Sequence, residues 1–273
     1  MRIADALNLA RALGVDRLDA QLMLAHLLSQ TRSWLLAHDD VLLDTAQIGT
    51  LQQHLARRAA GEPLAYVLGE AEFRGLRLQV SPAVLVPRPE TEVLVDWALE
   101  QLPANADAAV LDLGTGSGAI ALALKHARPQ ARLCASDASA QALAVALSNG
   151  QRQGLHIEWL LGDWWAPLDA MRFSLVVSNP PYVAGNDPHL AALGYEPRSA
   201  LTPEGDGLSA LRRIIAGAPL HLLPGAWLML EHGHDQVAAI AGLLNEAGFL
   251  PPQTRTDLAG LPRCTGARWP DAK

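Results

Sequence analysis

Apolar residues recur at helical spacing through the first sixty positions. Leu7, Ala10 and Leu13 form one such stripe, and Leu18, Leu22, Leu24, Ala25 and Leu28 form another. Two helices are expected there, the second capped by Asp16 or Asp19. A third opens at Asp44-Thr-Ala-Gln, runs through Leu51 and Leu55, and ends near Gly61-Glu-Pro63. Residues 1–65 therefore read as a small N-terminal helical domain. Between 66 and 88 the texture changes. Tyr66-Val-Leu-Gly, Glu72-Phe-Arg-Gly-Leu-Arg-Leu-Gln-Val and Val84-Leu-Val suggest short strands around a turn at Gly75, punctuated by prolines. This stretch reads as a β-hairpin linker.

Residues 89–273 carry a different pattern. After a helix starting near Glu90, short apolar runs alternate with helical segments. Strands are expected at 110–113, 133–136, 157–161, 174–178, 226–230, 249–256 and 262–269, with helices at 117–127, 139–152 and 235–247. Apolar strands alternating with helices imply an α/β fold whose mostly parallel sheet is covered on both faces.

Composition narrows the class. The chain has 273 residues, half of them hydrophobic and 18% charged, enough for a large core plus a smaller one. The net charge of -7 argues against naked nucleic acid as the main partner, because phosphate binding needs a basic footprint. Met1-Arg-Ile-Ala-Asp begins an amphipathic helix and not an apolar signal core. No run approaches 18 uninterrupted apolar residues, so no membrane span is expected. Two cysteines, Cys134 and Cys264, need no bridge in a domain of this size. The expectation is a cytoplasmic protein with reduced thiols.

Two segments carry candidate chemistry. Leu111-Asp-Leu-Gly-Thr-Gly-Ser-Gly118-Ala119 runs from a strand through glycines into a helix. Such a turn lets backbone approach a ligand and presents free N–H groups at the helix start. Gly114, Thr115, Gly116, Ser117 and Gly118 are thus candidate cofactor contacts. Asp137 ends the next strand, where a carboxylate can accept from both hydroxyls of a ribose. By itself this pattern fits a nicotinamide cofactor as well as S-adenosylmethionine, since Gly114-x-Gly116-x-x-Ala119 also satisfies the dinucleotide fingerprint. Gly162-Asp163-Trp164 adds a carboxylate and an indole that could flank an adenine.

The second segment, Ser178-Asn-Pro-Pro-Tyr182, follows the fourth strand at the edge where ligands bind in open α/β sheets. An NH2 group conjugated to a carbonyl or an aromatic ring is a poor nucleophile. The Asn179 side-chain oxygen and the Pro180 carbonyl could accept its two hydrogens, while Pro181 stiffens the turn and Tyr182 stacks on the flat group. That chemistry favours methyl transfer over hydride transfer and needs no metal. Glu231-His-Gly-His234 lacks the spacing of a zinc site and reads as a turn. Arg88, Glu90 and Glu92 either line the site entrance or simply open a helix after Pro89.

With these segments in place, the sequence resembles the HemK-type release factor glutamine N5-methyltransferases. The shared features are Phe73-Arg-Gly-Leu, Val86-Pro-Arg-Pro-Glu-Thr-Glu92, Asp112-Leu-Gly-Thr-Gly-Ser-Gly118, Asn179-Pro-Pro-Tyr182, Tyr195-Glu-Pro197, Leu230-Glu-His-Gly233 and Asp257-Leu-Ala-Gly-Leu-Pro-Arg263. Asn-Pro-Pro-Tyr also occurs in N6-adenine and N2-guanine nucleic-acid methyltransferases, which remain an alternative. The resemblance implies a Rossmann-like seven-stranded methyltransferase sheet. It implies S-adenosylmethionine on Gly114 to Gly118, Asp137, Trp164 and Asn179, with the substrate on Asn179 to Tyr182. The implied substrate is the glutamine of Gly-Gly-Gln in class-1 peptide chain release factors, docked in part by the helical domain. No membrane, direct nucleic-acid partner or further subunit is expected.

Overall fold

The computed structural model describes residues 1–105 and 107–271. The chain divides into two compact units, Met1–Glu70 and Ala71–Lys273.

The first unit is helical: α1 (Ile3–Ala12), α2 (Arg17–Leu28), α3 (Arg32–Ala37), α4 (Thr45–Ala59) and α5 (Leu64–Leu68). Ile3, Met23, Leu24, Leu35, Leu51 and Leu55 form its own core. Asp16 caps α2, accepting from the Leu18 N–H at 2.7 Å, whereas Asp19 pairs with Arg58 on α4 at 2.6 Å. Asp44 and Gln47 close a reciprocal capping box at the start of α4. Tyr66-Val-Leu is helix, not strand. The Pro63 carbonyl accepts from the Tyr66 and Val67 N–H groups, the Arg57 guanidinium takes the Tyr66 carbonyl at 3.0 Å, and Gly69 ends the turn at φ +75°.

The second unit opens with the hairpin β1 (Glu70–Phe73) and β2 (Leu76–Gln79), turning at Arg74 and Gly75 with φ values of +50° and +79°. Val84-Leu-Val86 forms no strand. Pro82 and Pro87 lack the N–H a ladder requires, and the Val86 N–H goes to the Glu196 carboxylate at 3.0 Å. A tight turn at Pro89–Thr91 leads into α6 (Glu92–Gln101). The alternation then follows: β3 (Ala109–Leu113), α7 (Ala119–Ala127), β4 (Arg132–Asp137), α8 (Ala140–Gln153), β5 (Glu158–Leu161) and β6 (Phe173–Ser178). Two helices outside the predicted alternation come next, α9 (Arg198–Leu201) and α10 (Ser209–Gly217). β7 (Leu222–Glu231), α11 (Val237–Glu246), β8 (Gln253–Thr256) and β9 (Pro262–Arg268) complete the unit. No helix among the described residues is long and apolar enough to cross a membrane.

Among the described residues seven strands form one sheet in the order β5-β4-β3-β6-β7-β9-β8, and only β9 runs antiparallel to its neighbours. The period of two divides each strand between two cores. Val110, Leu175, Val177 and Met229 pack with α6 and α7 residues such as Trp97 and Leu122. Leu111, Leu113, Val176, Leu228 and Leu230 pack with Leu211, Ile214, Ile240 and Leu244 of α10 and α11. Burial of both faces is why these strands read as nearly continuous apolar runs. Cys134 and Cys264 are free and buried, and burial pushes the Cys134 thiol up to about 12.

Strand order reverses beside β3. The chain steps outward through β4 and β5, then returns to place β6 on the other side of β3. A crevice opens at the carboxyl ends of strands where such a reversal occurs. Leu113 pairs with Ser178, and the Ser178 hydroxyl donates to the Leu113 carbonyl at 2.6 Å. The glycine turn after β3 and the Asn-Pro-Pro-Tyr turn after β6 therefore begin side by side.

Candidate active site

A cavity of about 420 Å³ lies at this reversal. Its wall includes Gly114, Thr115, Gly116 and Ser117 from the glycine turn, Asp137 from the end of β4, Trp164 from the turn after β5, and Asn179 and Pro181 from the turn after β6. Gly118, Pro180 and Tyr182 do not line it. Gly118 serves as the N-cap of α7 at φ +83°. A Cβ there would meet Leu122, Ala146 and Trp159 side-chain atoms at 3.1–3.3 Å, so this glycine lets helix and sheet close together. Gly114 allows a second close approach, because a Cβ would come 3.3 Å from the Trp164 ring.

The glycine turn is held from three sides. Its first two N–H groups, Gly114 and Thr115, donate to the Ser136 carbonyl at 2.9 and 3.0 Å. The Asp112 carboxylate, fully buried, accepts the Thr115 hydroxyl at 2.6 Å and the Ala121 N–H at 3.2 Å. Burial pushes Asp112 up to about 7 against those two hydrogen bonds. The Asn149 side chain on α8, also fully buried, donates to the carbonyls of Ser117 and Gln79 at 2.9 and 3.0 Å and accepts the Gln79 N–H at 2.6 Å. It ties the turn to the hairpin.

Asp137 accepts from the Gly116 N–H at 2.9 Å and the Ser139 N–H at 2.8 Å. Burial raises its pKa, and these backbone donors oppose the rise. The Asp163 carboxylate, also on the wall, pairs with Arg213 at 2.6 Å.

Opposite the glycine turn, the Asn179 amide donates from Nδ2 to the Thr91 hydroxyl at 3.2 Å. The Tyr182 hydroxyl donates to Glu231 Oε1 at 3.3 Å, so its phenol end faces the end of β7. Burial and the Glu231 charge push the Tyr182 pKa up. Glu231 itself is buried, and burial raises it to about 7, while the Tyr182 hydrogen bond and the Arg263 charge oppose the rise. Arg88 lines the cavity and pairs with Glu196, whose carboxylate also takes the Val86 N–H. Glu90 and Glu92 are not on the wall; they stand in the first turn of the helix that Pro89 opens. His232 is spent on the Gly233 carbonyl and the Thr265 hydroxyl, each at 2.8 Å.

Thr91, Asn149, Glu196 and Glu231 stand at or behind the site without belonging to either chemical motif. Thr91, Glu196 and Glu231 lie in segments that carry the family resemblance, and Glu231 also ends the apolar run Ala226-Trp-Leu-Met-Leu, where a charge closing a buried strand needs a partner; Asn149 had no such signal.

A parallel sheet whose crevice is bounded by a glycine turn and by Asn-Pro-Pro-Tyr defines a Rossmann-like methyltransferase. Residues 91–210 match the model of the methyltransferase small domain, and residues 4–69 match that of the PrmC N-terminal domain. The chain belongs to the family of release factor glutamine methyltransferases. It is 50% identical to the Bordetella pertussis member over 93% of this chain and 95% of that protein. Identity to the Burkholderia pseudomallei member is 49%, over 98% and 97%. The solved structure of a methyltransferase from Pyrococcus furiosus shares the fold at 15% identity and a TM-score of 0.56, covering 83% of this chain and 100% of that one.

Proposed function

We propose that this protein methylates the side-chain amide nitrogen, N5, of the glutamine in the Gly-Gly-Gln motif of class-1 peptide chain release factors, with S-adenosylmethionine as methyl donor. The observation that carries the reading is the single cavity that joins the glycine turn and Asp137 to Asn179. The residues fit the cofactor. Gly116 has open space where a Cβ would stand, Asp137 is a carboxylate at the end of β4 suited to ribose hydroxyls, and Trp164 offers a flat apolar ring for the adenine. When bound, S-adenosylmethionine supplies an electrophilic sulfonium methyl group. Gly114 to Ser117, Asp137, Trp164 and Asn179 would hold it in this reading, with Gly118 setting the start of α7 behind them.

An amide nitrogen has a delocalised lone pair, so the protein must orient it. The Asn179 Oδ1 and the Pro180 carbonyl accept the two N–H hydrogens, and the Pro180-Pro181 turn stiffens both acceptors. Pro180 and Tyr182 lie outside the cavity wall, so in this reading the glutamine side chain reaches past Asn179 to meet them, with Tyr182, anchored on Glu231, as the flat surface for the amide. The helical unit Met1–Glu70 docks the release factor outside this pocket. The same reading makes the protein a cytoplasmic monomer with no direct nucleic-acid partner.

The test is transfer of label from radioactive S-adenosylmethionine to a purified release factor, beside its Gln→Ala variant in Gly-Gly-Gln and a DNA duplex. Label on the wild-type factor alone is expected. Label on the duplex alone would move the protein to the nucleic-acid methyltransferases. Asn179→Ala should lower transfer by about 100-fold or more while S-adenosylhomocysteine affinity stays within about tenfold.

A further inference from the structure

We propose that Glu196 is a positioning residue for the cofactor: it fastens the proline-rich wall of the cavity and neutralises Arg88, the one basic side chain on that wall among the described residues. The proposal rests on the reading of the cavity as the S-adenosylmethionine site.

Segment 82–88 carries no helix or strand, yet it builds much of one side of the cavity, from Pro82 to Leu85 and again at Pro87 and Arg88. Its backbone has few donors with which to hold on. Pro82 and Pro87 carry no N–H, and the Val84 N–H turns back to the Ser81 carbonyl at 3.0 Å. The Val86 N–H reaches across to the Glu196 carboxylate at 3.0 Å, and the second oxygen of that carboxylate takes the Arg88 guanidinium. The Glu196 side chain is 2% exposed. Pro197, Ser199 and Ala200, which follow it, are on the wall too. This second segment is tied to the chain leaving the Asn-Pro-Pro-Tyr turn, because the Val183 N–H donates to the Leu201 carbonyl at 3.0 Å. One buried carboxylate thus joins two stretches of wall that lie 110 residues apart and share no strand ladder.

The same contact settles a question of charge. S-adenosylmethionine is a cation overall, since its ammonium and sulfonium outnumber its carboxylate. S-adenosylhomocysteine has lost the sulfonium and is neutral. A guanidinium standing alone on the wall would therefore oppose the methyl donor and leave the product nearly unaffected. Paired with Glu196, Arg88 presents no net charge to either.

Calorimetric titration of the full chain, without release factor, reads both effects. Glu196→Gln keeps the volume but offers one acceptor oxygen to two donors. S-adenosylhomocysteine should bind about tenfold more weakly as the wall loosens. S-adenosylmethionine should lose about a further fivefold, a modest amount because Arg88 is 35% exposed and water screens it. Arg88→Met removes one of the two fastenings, and S-adenosylhomocysteine should weaken by about threefold. It leaves the carboxylate charge uncancelled, so the balance between the two ligands should move the opposite way, toward S-adenosylmethionine. With both substitutions together the ratio of the two affinities should return to that of wild type. A residue that only supports the fold would weaken both ligands alike and give neither the change of sign nor the recovery. Hydrogen exchange locates the loosening: in Glu196→Gln the Val86 N–H should lose protection while Leu111 and Leu113, inside β3, keep theirs. If Glu196→Gln does not fold, Arg88→Met still carries both readouts.

Equal losses of the two ligands in the single variants would overturn the neutralising role. Wild-type S-adenosylhomocysteine affinity in them would overturn the fastening role. If the wild-type protein bound neither ligand, the reading of the cavity would fail, and this proposal with it. If it bound both and the variants matched it, this proposal alone would fall.

Discussion

Asp112 lies one residue before the end of β3 without solvent contact, and its Oδ1 has no hydrogen-bond partner. The cost of that burial is visible in its pKa, raised to about 7 from an unfolded-state value of roughly 3.9. The folded protein therefore binds this proton more tightly than the unfolded chain. Its contribution to stability is complete below the unfolded pKa and is lost as pH rises toward the folded one. Asp112→Asn keeps an oxygen for the Thr115 hydroxyl and the Ala121 N–H and removes the titration. We expect the urea unfolding free energy of the wild type, taken relative to Asp112→Asn, to fall between about pH 4 and pH 7 and to level off above it. A difference that stays constant with pH would mean that the carboxylate is ionised throughout. Glu231, also raised by burial, is present in both proteins, so its titration cancels; the Asp137 charge acts on Asp112 and adds to the rise that the comparison reads.

At the scale of elements, the glycine turn depends on a neighbour that no local pattern names. Asn149 lies on α8, yet its three hydrogen bonds go to Ser117 in the turn and Gln79 at the end of β2. Its place on a helix was legible in the 139–152 pattern; its partners, 32 and 70 residues away, were not. Asn149→Ala would leave the buried Ser117 carbonyl and the partly buried Gln79 N–H and carbonyl unpaired. Each such group costs about 1–3 kcal/mol, and partial relaxation brings the expected loss to about 2–4 kcal/mol by urea unfolding. A loss under about 0.5 kcal/mol would show that the hairpin and turn hold without it. The same distinction explains α5. Tyr66-Val-Leu has strand-like residues, but Pro63 at its start, Gly69 at its end and Arg57 on its carbonyls supply the terminal bonds of a helical turn. Propensity is the weaker influence over five residues.

At the scale of the molecule, every residue on the cavity wall belongs to the unit Ala71–Lys273, while Met1–Glu70 has its own hydrophobic core. A chain starting at Ala71 should therefore bind S-adenosylhomocysteine within about tenfold of the full protein. Its KM for a release factor should rise by at least about tenfold if the helical unit docks the substrate. An unchanged KM would remove that role. The sequence by itself was enough to place the seven strands, the helices α6, α7, α8 and α11 and the two chemical turns, but not α9 and α10, because period, glycine conformation and proline stiffness act over a few neighbouring residues. It could not bring Thr91 beside Asn179, Arg88 beside Glu196 or Tyr182 beside Glu231, pairs 88, 108 and 49 residues apart. Those meetings were decided only when the strand order reversed beside β3 and two cores closed on the sheet. Burial then made these charges and amides find partners across the fold, since little water remained to serve in their place.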